Sequence, residues 1–380
     1  MRNLKELLED EEGRDLLQEN GIFLDEREFI RALKAPADNG SDKRVFGAQQ
    51  IYLDYATGVS SKIAALKDLS DQGVRTVFIW MDTDNAGSDK LMTRFFWPGI
   101  EAEGSESFRV VSKEKSKGKD MRFVEIDPSY IKGTRDGFIG SLKTSGYFNR
   151  ETFNRFWSNF DGPSNLAELN LRVTEFLIKN YFGYYPDPRI LSEHLDDKMR
   201  SQLNLVFQNL DDIVRVVNEG IQDLVDIDVD PQISKRDPSY LPLHVTCPED
   251  WKRNTLRRVN QGQDVYAVAV CKCGNNMKYH LGSKTLSADS VFDSAIWSPD
   301  VMLPILINDL YSGEVSGKSS SLYGIVLNHA MKKVLEKNPI PVLIPEAYYT
   351  AVEEIRDGLI PHYFRNSRSV QRTPRVCEVH

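Results

Sequence analysis

"VFGAQQIYLDYATGVSSKIAALKDLSDQGVRTVFIWMDTDN", residues 45–85, decides the fold. Val45-Phe46 opens a short apolar strand that runs into Gly47-Ala48-Gln49-Gln50. Ser60 or Ser61 is then placed to cap a helix carrying Ile63, Leu66 and Leu69 on one face, and Gly73 ends it. Five consecutive apolar residues follow, Val77 to Met81. A continuous run of this kind fits a strand buried on both faces, as in a parallel sheet. Strand, helix and strand within about 40 residues make a βαβ unit. The expected class is therefore α/β with a parallel sheet at its core.

The ends of that unit carry polar residues. In open α/β sheets ligands bind beyond the carboxyl ends of the strands, close to helix N-termini. Gly47, Gln49, Gln50, Thr57, Gly58, Ser60, Ser61 and Lys62 occupy such positions, and Lys62 adds charge for an anion. A capped helix and a turn satisfied by two glutamines explain the same residues. Past the second strand come Asp82, Asp84 and Asn85. Carboxylates there hold a substrate amine, a ribose or a metal, or else cap a helix and meet solvent.

Two further stretches suggest chemistry. "HVTC" (244–247) and "CKC" (271–273) supply His244, Cys247, Cys271 and Cys273, joined by residues 248–270. Four soft or borderline ligands in two short turns suit a closed tetrahedral zinc site of structural type. Gly274 lets the backbone turn there, and His280 is an alternative to His244; buried free cysteines are the plainer reading. In "YSGEVSGKSSSLYG" (311–324), Gly317-Lys318-Ser319 resembles the end of a phosphate loop. Gly313 is one residue too close for the full G-x4-G-K-[ST] spacing. A Gly/Ser loop with Lys318, Ser319 and Ser320 ahead of a helix still suits anion capture; a plain flexible loop would look the same. The alternating Lys113, Lys115, Lys117 and Lys119 read as a solvated loop.

The 380 residues suffice for one large domain or two ordinary ones. Net charge is 48 − 56 = −8, a poor balance for bulk nucleic-acid or membrane-surface binding. No run reaches the roughly 18 apolar residues of a membrane span. The charged start lacks a signal core, so a cytoplasmic protein is expected. Four cysteines are too few for a disulfide scaffold. The organisation expected is an N-terminal helical segment (1–43), the first part of the core (44–180), a helical and zinc-knuckle insertion (181–285), the second part of the core (286–366) and a flexible tail (367–380). Residues 108–126 read as two strands around the basic loop. Residues 150–225 read as helical with a break at "GYYPDPR". Residues 339–346, "PIPVLIPE", read as a late buried strand.

Taken in order, several stretches resemble one family. "VFGAQQ", the helix bearing Lys62 and "VFIWMDTDN" are similar to the amino-terminal half of the bacillithiol-biosynthesis cysteine-adding ligases, with their T-G-Q-Q motif, Lys-bearing helix and E-D-H-D strand end. "NYFGYYPDPRILSEHLDDKMRSQL" (180–203) resembles the family's short strand and D-P motif followed by a helix. "WSPDVMLPILINDLYSGEVSGKSSSLYGIVLNHA" (297–330) resembles its S-P-N/D-V-x-L-R-P-L-x-Q-D segment and glycine-rich loop. "IPVLIPEAYYTAVE" (340–353) resembles its P-V-x-x-P-R-A strand. The matched pieces span about half the chain.

The resemblance implies a Rossmann-like core of the HIGH-type nucleotidyl transferase and class I aminoacyl-tRNA synthetase group, in which "VSGKSSS" is loosely similar to a KMSKS loop. It implies ATP (with Mg2+) as co-substrate, activation of an amino-acid carboxylate, cysteine among the candidates, and transfer to an amine of a small molecule or peptide. The implied catalytic residues are Lys62, Asp82 and Lys318. Gly47, Gln49, Gln50, Thr57, Gly58, Ser60, Ser61, Asp84, Asn85, Ser298, Gly317, Ser319 and Ser320 would bind the substrates. The chain departs from the family at Ala56-Thr57-Gly58, where Gly-Gly-Pro stands in the ligases, at residues 316–320 and at Leu303-Pro304. It has no HIGH histidines, and the dimerisation coiled coil has no counterpart in these residues, which leaves the oligomeric state open. The rival readings are a nucleotidyl transferase and a non-catalytic synthetase-like binding protein. The acidic balance weighs against a tRNA-like ligand, while the basic loop and tail keep one in view.

Overall fold

A computed structural model describes residues 1–33, 43–55, 57–98, 105–300, 302–345 and 358–366. The chain forms two compact units. One comprises Met1–Gln49, Ser61–Thr83 and Pro186–Ala351; the other comprises Gln50–Ser60, Asp84–Tyr185 and the described part of Val352–His380. The strands are β1 (Ile22–Phe23), β2 (Arg44–Gln50), β3 (Arg75–Met81), β4 (Arg94–Pro98), β5 (Ser105–Arg109), β6 (Asp187–Ile190), β7 (Tyr240–Thr246), β8 (Arg253–Gln261), β9 (Asp264–Val270), β10 (Asn276–Gly282), β11 (Ile296–Pro299), β12 (Gly313–Val315) and β13 (Val342–Leu343).

The first unit is built on a six-stranded parallel sheet in the order β1-β13-β12-β2-β3-β6, flanked by helices. It is a Rossmann-like α/β core. The chain leaves β2 outward through β3 to β6, then returns to the other side of β2 with β12 and β13. The order therefore reverses between β2 and β12. β3 is buried from Thr76 to Trp80, as its unbroken apolar run requires. Pro188 has no N–H to donate and sits in β6, at the sheet edge. The helix Thr57–Asp71 connects β2 to β3 and completes the expected βαβ unit. It packs so closely that a Cβ on Gly47 would lie 3.0 Å from Phe78 and 3.2 Å from Leu66.

This unit also contains a five-stranded antiparallel sheet, β10-β9-β8-β7-β11. The helices Asp197–Gln208 and Leu210–Asp226 bury Leu203, Phe207, Ile213 and Val217 in the same apolar cluster as Val77 and Ile79 of β3 and Leu243 of β7. Residues 186–285 thus share their core with the parallel sheet, and the division into units differs from the one expected from sequence.

The second unit pairs the hairpin β4–β5 with the helices Pro128–Thr144, Arg150–Trp157, Leu166–Phe182 and Leu359–Asn366. Its centre is aromatic. Phe138 is fully buried, with ring centroids of Phe95 at 4.9 Å and of Phe364 at 5.3 Å.

Local readings fare unevenly. The first 33 residues hold three helices, but Ile22–Phe23 is a strand. The helix read as starting at Ser60 or Ser61 begins at Thr57, so both serines lie within it rather than at its cap. Residues 108–126 hold the end of one strand instead of two strands. Ser112 accepts from the Lys115 N–H and Asp120 from the Arg122 N–H, which starts short helical turns at Lys113–Ser116 and Met121–Phe123. The tail 367–380 lies outside the described residues. No helix among the described residues is long and apolar enough to cross a membrane.

Candidate functional site

The strand order points to one place. In open α/β sheets the crevice lies at the carboxyl ends of the strands where the order reverses, here beyond Gln49 of β2 and Val315 of β12. Strand alternation puts Gly47 and Gln49 on the face covered by the helix Thr57–Asp71. Lys62 of that helix is 5% exposed. Its ammonium donates to the Ala48 carbonyl at 3.0 Å and to Gln49 Oε1 at 3.1 Å. An ammonium has three donors, and the third has no partner among the described residues. Burial pushes the Lys62 pKa down to about 8, against the opposing pull of Glu314.

Glu314 belongs to β12 and is the register partner of Phe46, so it projects from the other face of the sheet. Burial raises its pKa, against Ser316 and Lys62. It lines a cavity of about 20 Å³ with Ser316, Ser320 and Asn308, room for about one water. A buried lysine and a carboxyl with opposed shifts, at a reversal of strand order, form the kind of group that marks functional sites.

The loop after β12 turns on itself. The Gly317 N–H donates to Ser320 Oγ at 3.1 Å, Ser316 Oγ donates to Ser320 Oγ at 2.8 Å, and Ser321 Oγ donates to the Gly317 carbonyl at 2.8 Å. Ser320 is therefore held by its own loop, whereas Ser319 is exposed. The side chains at positions 57, 58 and 318 lie outside the described residues. Gly47 is taken up by packing against Leu66 and Phe78.

The other expected site residues are dispersed. Asp82, at the end of β3, is buried; one oxygen accepts from the Ser192 N–H at 3.0 Å and the other from the Ser192 hydroxyl. It ties β3 to the turn after β6. Asp84 and Asn85 belong to the second unit, where the Asn85 N–H donates to Asp84 Oδ1 at 2.7 Å and Asn85 bridges to Asp120. Ser298 is buried in β11, accepts from Arg253 Nε at 3.2 Å and sits in register with His244. Gln50 and Ser60 fall in the second unit, Ser61 in the first.

The cysteines do come together. Cys247 follows β7, and Cys271 and Cys273 lie in the turn between β9 and β10. Gly274 in that turn has φ +94°, which favours glycine, and its N–H donates to the Cys271 carbonyl at 2.9 Å. Among the described residues, one atom each of Cys247, Asp250, Cys271 and Cys273 lies within 4.8 Å of all the others, and this group could hold a metal ion. The Cys247 and Cys273 sulfurs are 3.7 Å apart, and Cys271 Sγ donates to Asp250 Oδ1 at 3.2 Å. Two thiolates on a tetrahedral zinc, at ~2.3 Å each, are separated by about 3.8 Å. Asp250 Oδ2 accepts from Lys252 at 2.6 Å, which orients the carboxylate and offsets its charge. Burial raises the Cys247 thiol pKa, but the N–H groups of Glu249 and Asp250, together with Asn275 and Cys273, hold it below its ordinary value.

His244 is not in this group, a correction to the expected ligand set. It lies three positions before Cys247 on a strand whose side chains alternate. Its Nδ1 meets Thr255 Oγ1 at 3.3 Å, across the register with β8. His280 is paired with Asp264 on the edge strand β10. The missed residues are Asp250 and Glu314. Asp250 follows Cys247 at the C-x2-D spacing, but carboxylates are too common for that spacing to single it out.

The chain matches no protein-family model and no curated protein sequence. Function therefore rests on the chemistry of the sites themselves.

Proposed function

We propose that the protein is an ATP-dependent ligase that activates an amino-acid carboxylate and joins it to an amine, and that it is a relative of the bacillithiol-biosynthesis cysteine-adding ligases. The observation that supports this best is Lys62: a buried cation with one unpartnered N–H, held by Gln49 where the strand order reverses. In the reaction, the carboxylate attacks the α-phosphorus of ATP and pyrophosphate leaves. The amine nitrogen then attacks the acyl carbon, loses a proton and expels AMP. Lys62 contributes fixed positive charge toward the phosphate oxygens as charge develops there, and Gln49 fixes its direction. Magnesium accompanies the nucleotide. Amino-acid-dependent release of pyrophosphate from ATP tests the reading. The twenty amino acids are screened one by one, each with a panel of small amines. Lys62→Met is expected to cut the rate at least a hundredfold while leaving the circular dichroism unchanged. Pyrophosphate release without any amino acid would move the assignment to a nucleotidyl transferase.

We further propose that the metal group holds one structural zinc, with Asp250 as the fourth ligand. Its coordination is closed, so the zinc serves folding rather than catalysis. Three free thiols held this close suit a reducing compartment, in line with a cytoplasmic protein acting on small molecules.

A further inference from the structure

On the sheet face opposite Lys62 the first unit encloses a second cleft, of about 240 Å³. Its floor is apolar: Val77 and Ile79 of β3, Leu191, Met199, Leu303 and Ile307. Its rim is cationic. Arg44 opens β2, Arg75 opens β3, Arg189 lies in β6, and Lys198 is in the helix Asp197–Gln208. Arg75 and Arg189 share one carboxylate, Asp187, at 3.5 and 3.1 Å. Asp196 is committed to the Met199 N–H at 3.0 Å. Asp187 thus serves both Arg75 and Arg189, while no carboxylate among the described residues pairs with Arg44. Burial, with Arg189 adding to it, lowers the His194 pKa, so this neighbour stays neutral at pH 7.

Tyr311 completes the cleft. It is 6% exposed, its ring packs at a tilt against Phe46 with centroids 4.8 Å apart, and its hydroxyl has no hydrogen-bond partner among the described residues. An unpaired guanidinium fork and a spare hydroxyl over an aliphatic floor fit one kind of occupant. We infer that this cleft binds a small organic anion whose carboxylate or phosphate monoester meets Arg44 and Tyr311 and whose short apolar body lies on Val77, Ile79 and Leu303. The volume is below the ~300–1,000 Å³ of drug-sized pockets, which limits the apolar body to a few carbons or one ring. From Arg44 to Gln49 the strand rises about 16 Å at ~3.3 Å per residue. With the opposite sheet face added, the cleft is separate from the Lys62 site.

Isothermal titration of the full chain with hexanoate and with phenyl phosphate tests this, with hexanol and inorganic phosphate as controls. At least one organic anion is expected to bind saturably, at least tenfold more weakly to Arg44→Gln, several-fold more weakly to Tyr311→Phe, and equally to Lys62→Met. Neither substitution in the cleft removes a described side-chain bond, so the variants are expected to fold. The tighter of the two anions identifies the head group. The inference is overturned if neither anion saturates the wild type at millimolar concentration, or if Arg44→Gln binds as well as wild type. It is also overturned if hexanol or inorganic phosphate binds as tightly as the organic anions, or if ATP displaces the anion.

Discussion

Lys62 and His244 show how burial sets what a side chain can do. Lys62 keeps its charge with two acceptors and a lowered pKa, so it retains an N–H for a ligand. His244 loses its charge: burial, reinforced by Arg253, drives its pKa to about 3. In the unfolded chain it returns to ~6.5. Between those values the unfolded state binds a proton that the folded state does not. His244 therefore subtracts stability as pH falls from about 6.5 toward 3, by up to ~1.4 kcal/mol per pH unit. Denaturant titrations of wild type and His244→Gln at pH 7, 6 and 5 isolate this share, because all other groups are common to both. The wild type is expected to lose more stability on acidification; parallel losses would mean that His244 is not the group responsible. The same burial explains why the sequence misled here. His-x2-Cys has ligand spacing, but on a strand an odd offset sends the two side chains to opposite faces.

At the scale of elements, Gly47 fixes the distance between β2 and the helix above it. Valine suits a strand better than glycine, yet Gly47→Val is expected to destabilise by about 1–3 kcal/mol, because its methyls would press on fully buried Leu66 and Phe78. Equal or higher stability in urea would show that the contact relaxes freely. The metal hairpin is a second such element. A chelator is expected to remove about one zinc per chain and lower the melting point, as a ligand bound to the native state does in reverse. Cys273→Ser and Asp250→Asn should weaken zinc retention, and His244→Gln should leave it intact; the opposite ranking would restore His244 as the ligand. These elements were unequally legible. Val77 to Met81 reads as a buried strand because no polar residue interrupts it, and the Cys271/Cys273 turn reads from its chemistry. β6 is masked in the residue pattern, where Asp187-Pro188-Arg189-Ile190 looks like a break in a helical region, and only the resemblance suggests a short strand there. β8 carries Arg253, Arg257 and Arg258, whose charges mask its alternation. Asp250 and Glu314 were invisible because only the folded turn and the strand register bring them to their sites.

For the molecule as a whole, the chain path matters most. β2, β3 and β6 run outward before β12 and β13 return, so β12 with Glu314 comes to lie directly beside β2 with Gln49 although the sequence holds the two strands far apart. The apolar run of β3 revealed the parallel sheet, but no local pattern records on which side of β2 the chain comes back. That reversal locates the proposed nucleotide site, and the proposed function depends on it. The most direct measurement is calorimetric titration of the zinc-loaded full chain with ATP and magnesium, for wild type and Lys62→Met. Saturable, magnesium-dependent binding to wild type is expected, with binding at least tenfold weaker to Lys62→Met and an unchanged fold. No binding to the wild type, or equal binding to both proteins, would contradict a nucleotide site at the end of β2.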